Sequence, residues 1–209
     1  YWLLALGWVI YLVANYLFTV STINGANAFL VYLESAYAIL DSEPLYNGVS
    51  GWIYLYPPLL AQLLVPIGHV VDHPMSAIVI WFGVNVAFMV ATLSLLTPYV
   101  PRSKRKWLWV APIVFIPFWQ ALYLGQVTII MMALLALVWA CVREDMPFIA
   151  GCILALAIWI KVFPVLLVVY FLWKRNWHIL YGTVFAGVVL LLFQVLISVC
   201  KTHPDHDCH

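Results

Sequence analysis

Charged residues fall in a few short clusters of this chain, and the long uncharged runs between them constrain the fold more than any other feature. Only 8% of the residues are charged, against about 25% in soluble domains. Membrane-spanning helices need about 20 apolar residues each, and most of the runs are long enough. The sequence therefore predicts an all-α polytopic membrane protein. The runs cover residues 1–33, 44–71, 75–101, 107–142 and 176–200.

Turn-forming residues divide these runs into about seven or eight hydrophobic segments, six of them full spans and the others short or re-entrant. Gly125-Gln126 lies near the middle of 107–142 and predicts an antiparallel pair of helices there. Lys161 to Pro164 separates the next pair in the same way. The predicted segments are 2–20, 75–97, the two halves of 107–142, 147–160, 163–173 and 177–200.

Three pieces lie outside these segments, within a single transmembrane domain of residues 1–209. Loop 21–56 is polar and aromatic, and stretch 57–71 is too short for a comfortable span, which indicates a re-entrant or interfacial segment. The tail 201–209 is polar, and we expect it to be disordered. A start at Tyr1 without methionine suggests a processed chain or a fragment. Within the loop, helical spacing predicts a short amphipathic helix on the membrane surface, formed by Phe29, Tyr32, Leu33, Ala36, Tyr37 and Leu40.

The basic loops set the predicted topology. Loops 102–106, 143–145 and 174–175 fall on one membrane face if the helices alternate in direction, and the positive-inside rule makes that face cytoplasmic. Gln126 and Lys161 then lie on the opposite, outer face. The net charge of +1 gives no support for a nucleic-acid partner.

Lys161 is the most informative single residue, because ionisable groups within membrane segments are usually functional. Gln126 follows Gly125 at a predicted helix start, where the positive end of the helix dipole favours an anion. Together these residues predict a phosphate-binding site. Snorkelling of Lys161 to the interface is the alternative interpretation.

Few other side chains could act in catalysis or bind a metal. Glu34, Asp41 and Glu43 are loop carboxylates that could supply a general base, although loop acids are more often simply solvated. The tail between His203 and His209 carries ligand-capable side chains but matches no zinc pattern. We therefore expect neither a metal site nor a cofactor.

An ordered set of short motifs resembles glycosyltransferase family 87, a family of integral-membrane mannosyltransferase-like enzymes in the GT-C superfamily. These motifs span about residues 25–175 and are Tyr32-x-x-x-Ala36-x-Ala38-x-Leu40 with Pro44-Leu45-Tyr46, Tyr56-Pro57-Pro58-Leu59, Leu124-Gly125-Gln126-Val127, Ala150-Gly151 and Ile160-Lys161-Val162-Phe163-Pro164. The resemblance implies a multi-pass protein of a bacterial inner membrane. It also implies transfer of a sugar, often mannose, from a polyprenyl-phosphate donor to a lipid or glycan acceptor on the outer face.

The same resemblance implies an acidic general base in the first external loop, and this chain departs from it. The position that matches the base is Ala28, preceded by Asn27, and neither side chain can act as an effective base. Either the chain is inactive at that step, or Glu34 substitutes, or the alignment is shifted by several residues. The chain is also about half as long as family members usually are.

The residues and the resemblance together predict one outer-face site. Lys161 and Gly125-Gln126 would hold the donor phosphate, and Tyr56, Pro57 and Pro58 would shape the cavity entrance. The competing hypothesis is a non-catalytic accessory or structural subunit that packs against protein partners in a larger membrane complex. A transporter would require inverted repeats, which the sequence lacks.

Overall fold

The computed structural model of the protein describes Ile10 and residues 27–41, 43–46, 53–70 and 74–202. Every regular element within these ranges is helical. The α-helices, in chain order, are α1 (Asn27–Leu40), α2 (Pro58–Val70), α3 (Pro74–Leu96), α4 (Arg105–Val114), α5 (Ile116–Tyr123), α6 (Thr128–Arg143), α7 (Pro147–Ile160), α8 (Val165–Trp173) and α9 (Trp177–Thr202). Two short 3₁₀ turns, Thr97–Tyr99 and Arg102–Lys104, connect α3 to α4.

Two of the described helical segments are long and apolar enough to cross a membrane. They are Pro74–Tyr99, with 26 residues, and Trp177–Ile197, with 21. Their positions confirm the long apolar helices predicted at 75–97 and 177–200. The predicted span 2–20 lies outside the described residues except for Ile10, and so does the tail from residue 203.

Helices α6, α7 and α8 lie close to the segments that the sequence predicts, and each is shorter than a full span. They have 16, 14 and 9 residues, below the roughly 20 needed for a full span. Residues 107–124 were predicted as one helix, and that prediction is wrong. The chain breaks at Phe115, which is extended, because Pro117 lacks an N–H and its ring would clash with the carbonyl of Ile113.

The chain divides into two compact units. The first consists of residues 1–31 and 67–133, and the second of residues 32–66 and 134–209. In the first unit, the buried face of α3 repeats every three or four residues, as a helix packed on one side requires. That face consists of Ala77, Ile78, Trp81, Asn85, Met89, Thr92 and Leu93.

The core of the second unit depends on a close approach of two glycines. A Cβ at Gly151 of α7 would clash with the Ile179 carbonyl oxygen, and one at Gly182 of α9 would clash with the Phe148 carbonyl oxygen. Small residues allow helix backbones to pack this closely in a membrane, where apolar burial drives little association. Around this crossing the buried core is formed by Val138, Cys141, Ala150, Leu154, Phe171, Ile179 and Leu180.

A pair of amide side chains ties the short helix α2 to α9 in the same unit. Gln62 Nε2 donates to Gln194 Oε1 at 3.1 Å, and Gln194 Nε2 donates to Gln62 Oε1 at 2.7 Å. Gln194 is buried. A reciprocal pair of this kind satisfies both amides where water is scarce, and it fixes the position of α2 on α9.

Helix α1 confirms the helix predicted within loop 21–56. Phe29, Tyr32, Leu33 and Ala36, four of the six residues that defined its apolar face, are buried. Protein side chains cover this face: Phe29 stacks on Trp81 within the first unit, and Tyr32 meets Tyr54 and Tyr56 within the second. The helical spacing of apolar residues in α1 is therefore explained by packing against protein side chains, as well as it would be by contact with a membrane surface.

We predict that Gly151→Ala lowers the thermal unfolding midpoint of the protein in detergent. The new methyl group must separate the backbones of α7 and α9, and overpacking of this kind costs about 1–3 kcal/mol. Fluorescence of the eleven tryptophans gives the unfolding curve.

Gly83→Ala is the matched control for that change. Nothing lies within 4 Å of a Cβ at Gly83, so this variant should keep or slightly raise the midpoint. Equal midpoints for the two variants would show that the α7–α9 contact does not limit stability.

Candidate functional site

Lys161 lies at the C-terminal cap of α7, where the helix gives way to extended backbone. Its Nζ atom lies 5.5 Å from the centre of the Tyr56 ring and 5.9 Å from that of Phe163. Both distances are within the range of cation–π attraction, and the negative end of the helix dipole also favours an ammonium here. The side chain is half-buried. The structure thus holds a positive charge beside two aromatic faces.

Tyr56 belongs to a cluster of tyrosines in the second unit. Tyr54 is fully buried between Tyr32, Tyr46 and Tyr56, with ring centres 5.7–6.4 Å apart. Its hydroxyl donates to the Pro57 carbonyl at 2.8 Å. Burial raises the pKa of Tyr54 well above its ordinary value, and the neighbouring Tyr46 and Tyr56 add to the shift. Through its hydrogen bond to the Pro57 carbonyl, Tyr54 fixes the loop.

The Tyr56-Pro57-Pro58 sequence leads into α2. Pro58 occupies the first position of the helix, where its missing N–H costs nothing. Pro57 supplies the carbonyl that Tyr54 binds. The two prolines thus anchor the segment that carries Tyr56, and the structure places the Tyr56 ring next to the Lys161 ammonium group.

Gly125 and Gln126 lie in the first unit, and they cap the end of α5. Gly125 is left-handed, with φ of 65°. Its N–H donates to the Leu122 carbonyl at 3.0 Å, and the N–H of Gln126 donates to the Ala121 carbonyl at 2.9 Å. This is the hydrogen-bond pattern of a Schellman cap.

The sequence predicts a helix start at Gly125-Gln126 whose dipole favours an anion, whereas in the structure the N–H groups of both residues are used in the cap. Helix α6 begins at Thr128 rather than at Gln126. The Gln126 side chain accepts a hydrogen bond from Thr128 Oγ1 at 3.1 Å, so its amide nitrogen is the donor that this residue could offer to a ligand.

The capping turn is held against α3 and the start of α1. Trp81 Nε1 donates to the Gly125 carbonyl at 2.8 Å, and the Ala28 N–H donates to the Leu124 carbonyl at 3.1 Å. The rings of Phe29 and Trp81 stack with their centres 5.0 Å apart. A Cβ at Gly125 would lie only 2.6 Å from the Phe29 Cβ. Both the backbone angle and the available space therefore require glycine here.

The two candidates for the general base both lie on α1. Ala28 is half-buried in its first turn and offers only a methyl group. Glu34 is also half-buried, six residues further along the helix. Six residues correspond to about 9 Å along a helix axis and about a third of a turn around it. Glu34 therefore does not replace an acid at position 28 without a different placement of the acceptor.

Sequence reasoning missed two residues that position these segments, Trp81 and Tyr54. Each buries its ring and donates a hydrogen bond to a backbone carbonyl beside a predicted motif, Gly125 for Trp81 and Pro57 for Tyr54. In a chain with eleven tryptophans and twelve tyrosines, no local pattern separates these two from residues of an interfacial belt.

Comparison with known proteins shows that most of these candidate site residues lie in one family-matched region. The sequence profile of glycosyltransferase family 87 matches residues 54–201, well over half of the chain. The chain belongs to this family. The matched region contains Tyr56-Pro57-Pro58, Gly125-Gln126 and Lys161, and the resemblance read from these motifs is confirmed. Ala28 and Glu34 precede the matched region.

A curated relative is similar over a larger part of the chain. It is a polyprenol-phosphate-mannose-dependent alpha-(1-2)-phosphatidylinositol mannoside mannosyltransferase of Mycolicibacterium smegmatis, 30% identical over 186 residues. The alignment covers 78% of this chain and 42% of that protein. This member of glycosyltransferase family 87 thus spans less than half the length of the relative. No solved structure matches the chain.

We predict that Gly125→Ala destabilises the first unit. The left-handed angle costs an alanine about 1–2 kcal/mol, and the contact with the Phe29 Cβ adds to that cost. Thermal unfolding and limited proteolysis in detergent measure the effect. Gly187→Ala on α9 is the control, because the nearest atom to its Cβ, Trp159 Nε1, lies 3.9 Å away. Equal stability of the two variants would contradict the requirement for glycine at position 125.

Proposed function

We propose that this chain is a glycosyltransferase-family membrane protein that binds a polyprenyl-phosphate sugar, with mannose as the sugar. The observation that carries the proposal is the position of Lys161 beside Tyr56, within the region that matches the family. The name of the Mycolicibacterium smegmatis relative supports the choice of donor. The fold in this proposal is of the GT-C type, as the resemblance implies.

Lys161 is the proposed ligand of the donor phosphate. Aromatic rings attract an ammonium group electrostatically but do not accept hydrogen bonds from all three of its N–H groups. The ammonium can therefore still donate a hydrogen bond to a phosphate. The phosphate of the donor is the leaving group, and a cation beside it would stabilise the charge that develops there. The role of Gln126 as a second phosphate ligand stays a prediction from the sequence. Tyr56, Pro57 and Pro58 form the proposed entrance for the sugar.

The proposed reaction takes place on the outer face, with the basic loops 102–106, 143–145 and 174–175 on the cytoplasmic face. Transfer then requires a base for the acceptor hydroxyl. Ala28 occupies the position that the family resemblance assigns to that base, and this observation favours the second candidate function, a non-catalytic subunit that binds donor lipid within a larger complex. Both candidate functions include binding of the donor lipid, but only the transferase moves the sugar to an acceptor.

We predict that Lys161→Met weakens binding of polyprenyl-phosphate-mannose to the full chain by roughly tenfold to a hundredfold. A hydrogen bond to a charged group contributes about 1.5–3 kcal/mol, which gives that range. Titration of the lipid into detergent-solubilised protein, followed by native mass spectrometry, measures the affinity.

Two controls make this result specific. Lys174→Met removes another cation that lies over an aromatic ring, 5.9 Å from the centre of Trp173, and should leave donor affinity unchanged. Unphosphorylated polyprenol should bind Lys161→Met and the parent protein equally. Unchanged donor binding in Lys161→Met would exclude the phosphate role.

We also predict that Ala28→Asp raises sugar transfer by roughly a hundredfold or more, the usual contribution of a positioned general base. Transfer from polyprenyl-phosphate-mannose to a lipid acceptor in vesicles is the assay, and Ala28→Asn is the control of similar shape without a base. Transfer by the parent protein that is lost in Glu34→Gln would make Glu34 the base instead. Donor binding without transfer in every variant would favour the non-catalytic subunit.

A further inference from the structure

An open apolar groove of about 330 Å³ runs along the first unit between α3 and the broken pair α4–α5. Residues from Phe82 to Leu93 form its wall on α3. Trp109 and Pro112 contribute from α4, and Trp119 contributes from α5. The break at Phe115 lets residues on both sides of it face the same groove.

The groove offers almost no hydrogen-bonding capacity to a ligand. Trp109 Nε1 donates to Thr97 Oγ1 at 3.2 Å, and Trp119 Nε1 donates to the Ile113 carbonyl at 3.0 Å. With both indole N–H groups engaged, the walls present aromatic and aliphatic carbon. Such a surface fits a hydrocarbon chain, because both gain stability when their apolar surfaces are buried against each other.

A cluster of cations lies at the start of α4, one of the helices that line this groove. Arg102, Lys104 and Lys106 are exposed, and Arg105 is held by a hydrogen bond from its Nε to the Val100 carbonyl at 3.1 Å. No carboxylate occurs among the described residues of the first unit, that is, among 27–31, 67–70 and 74–133. The cluster therefore has no internal counter-charge in the part of this unit that the structure describes.

Helix geometry connects the cluster to the groove. Lys106, Trp109 and Ile113 are spaced by three and four residues on α4, which places them on one face of the helix. Trp109 and Ile113 line the groove. The cations at the start of α4 therefore lie at the Trp109 end of the apolar walls.

The length of the groove fits one leaflet of a bilayer. From Phe82 to Leu93 the helix rises about 16 Å, which is roughly half of a 30 Å hydrocarbon core. A lipid with its phosphate at the basic cluster would extend one acyl chain along these walls and end near the middle of the membrane.

We infer that the groove and the cluster of Arg102, Lys104 and Lys106 form a binding site for an anionic phospholipid. The charge of the cluster selects the head group, because each cation near the surface favours anionic lipid. The groove and the cluster belong to the first unit, whereas Lys161, the proposed donor contact, belongs to the second. The inference does not rest on the proposed function.

The test is a titration of the delipidated full chain with phosphatidylglycerol and with phosphatidylcholine of the same acyl chains, followed by native mass spectrometry. We expect roughly tenfold tighter binding of phosphatidylglycerol. The triple variant Arg102→Gln, Lys104→Gln, Lys106→Gln should lose this preference. The triple variant Arg143→Gln, Lys174→Gln, Arg175→Gln makes the same charge change in the second unit and should keep it.

The groove is tested separately from the charge. Val90→Trp fills the wall of the groove and should weaken binding of both lipids, whereas Val188→Trp on α9, at a similarly exposed position, should not. Equal affinity for the two lipids, or equal effects of the two triple variants, would overturn the inference. Displacement of phosphatidylglycerol by polyprenyl phosphate, to the same extent in the parent and in Lys161→Met, would also overturn it, because the groove would then hold the donor chain.

Discussion

Satisfaction of backbone hydrogen bonds at helix ends is the constraint on which the rest of this structure depends. Unpaired backbone groups are costly in hydrocarbon, and the chain turns within the apolar run at Gly125 as well as at the charged loops after α6 and α8. Helices α5, α6 and α8 solve the problem in the same way. Each ends at a left-handed residue, Gly125, Asp145 or Arg175, and the next N–H returns to a carbonyl in the last turn. These caps give partners to carbonyls of the last turn in helices of 8 to 16 residues.

The caps also position the segments that matched the family. In the turn at Gly125, the glycine carbonyl accepts a hydrogen bond from Trp81, and the absence of a side chain allows Phe29 to pack against the glycine. At the end of α7 the extended backbone of Lys161 directs the ammonium to Tyr56. In both places a local backbone requirement decides where a polar group faces, and a buried aromatic side chain then holds the segment in place.

Part of the candidate site was readable from the sequence because its residues also mark breaks in hydrophobic runs. Gly125-Gln126 and Lys161-Val162-Phe163-Pro164 interrupt apolar segments, and both interruptions are helix ends in the structure. The use of the Gly125 and Gln126 N–H groups in a cap was not predicted, because a helix end and a helix start share the same turn residues. The break at Phe115 was missed because proline is also common in the first turn of an uninterrupted helix.

The sequence by itself determined that the chain is helical and apolar, where the long helices lie and which family it belongs to, because these follow from the order of residues along the chain. Tertiary structure alone decided which face of each uniformly apolar helix is buried. A helix that is apolar on all sides, such as α3, carries no signal for that choice, since lipid and protein interior are equally apolar. For the same reason the Gly151–Gly182 approach, the Gln62–Gln194 pair and the groove along α3 became visible only when the helices were packed.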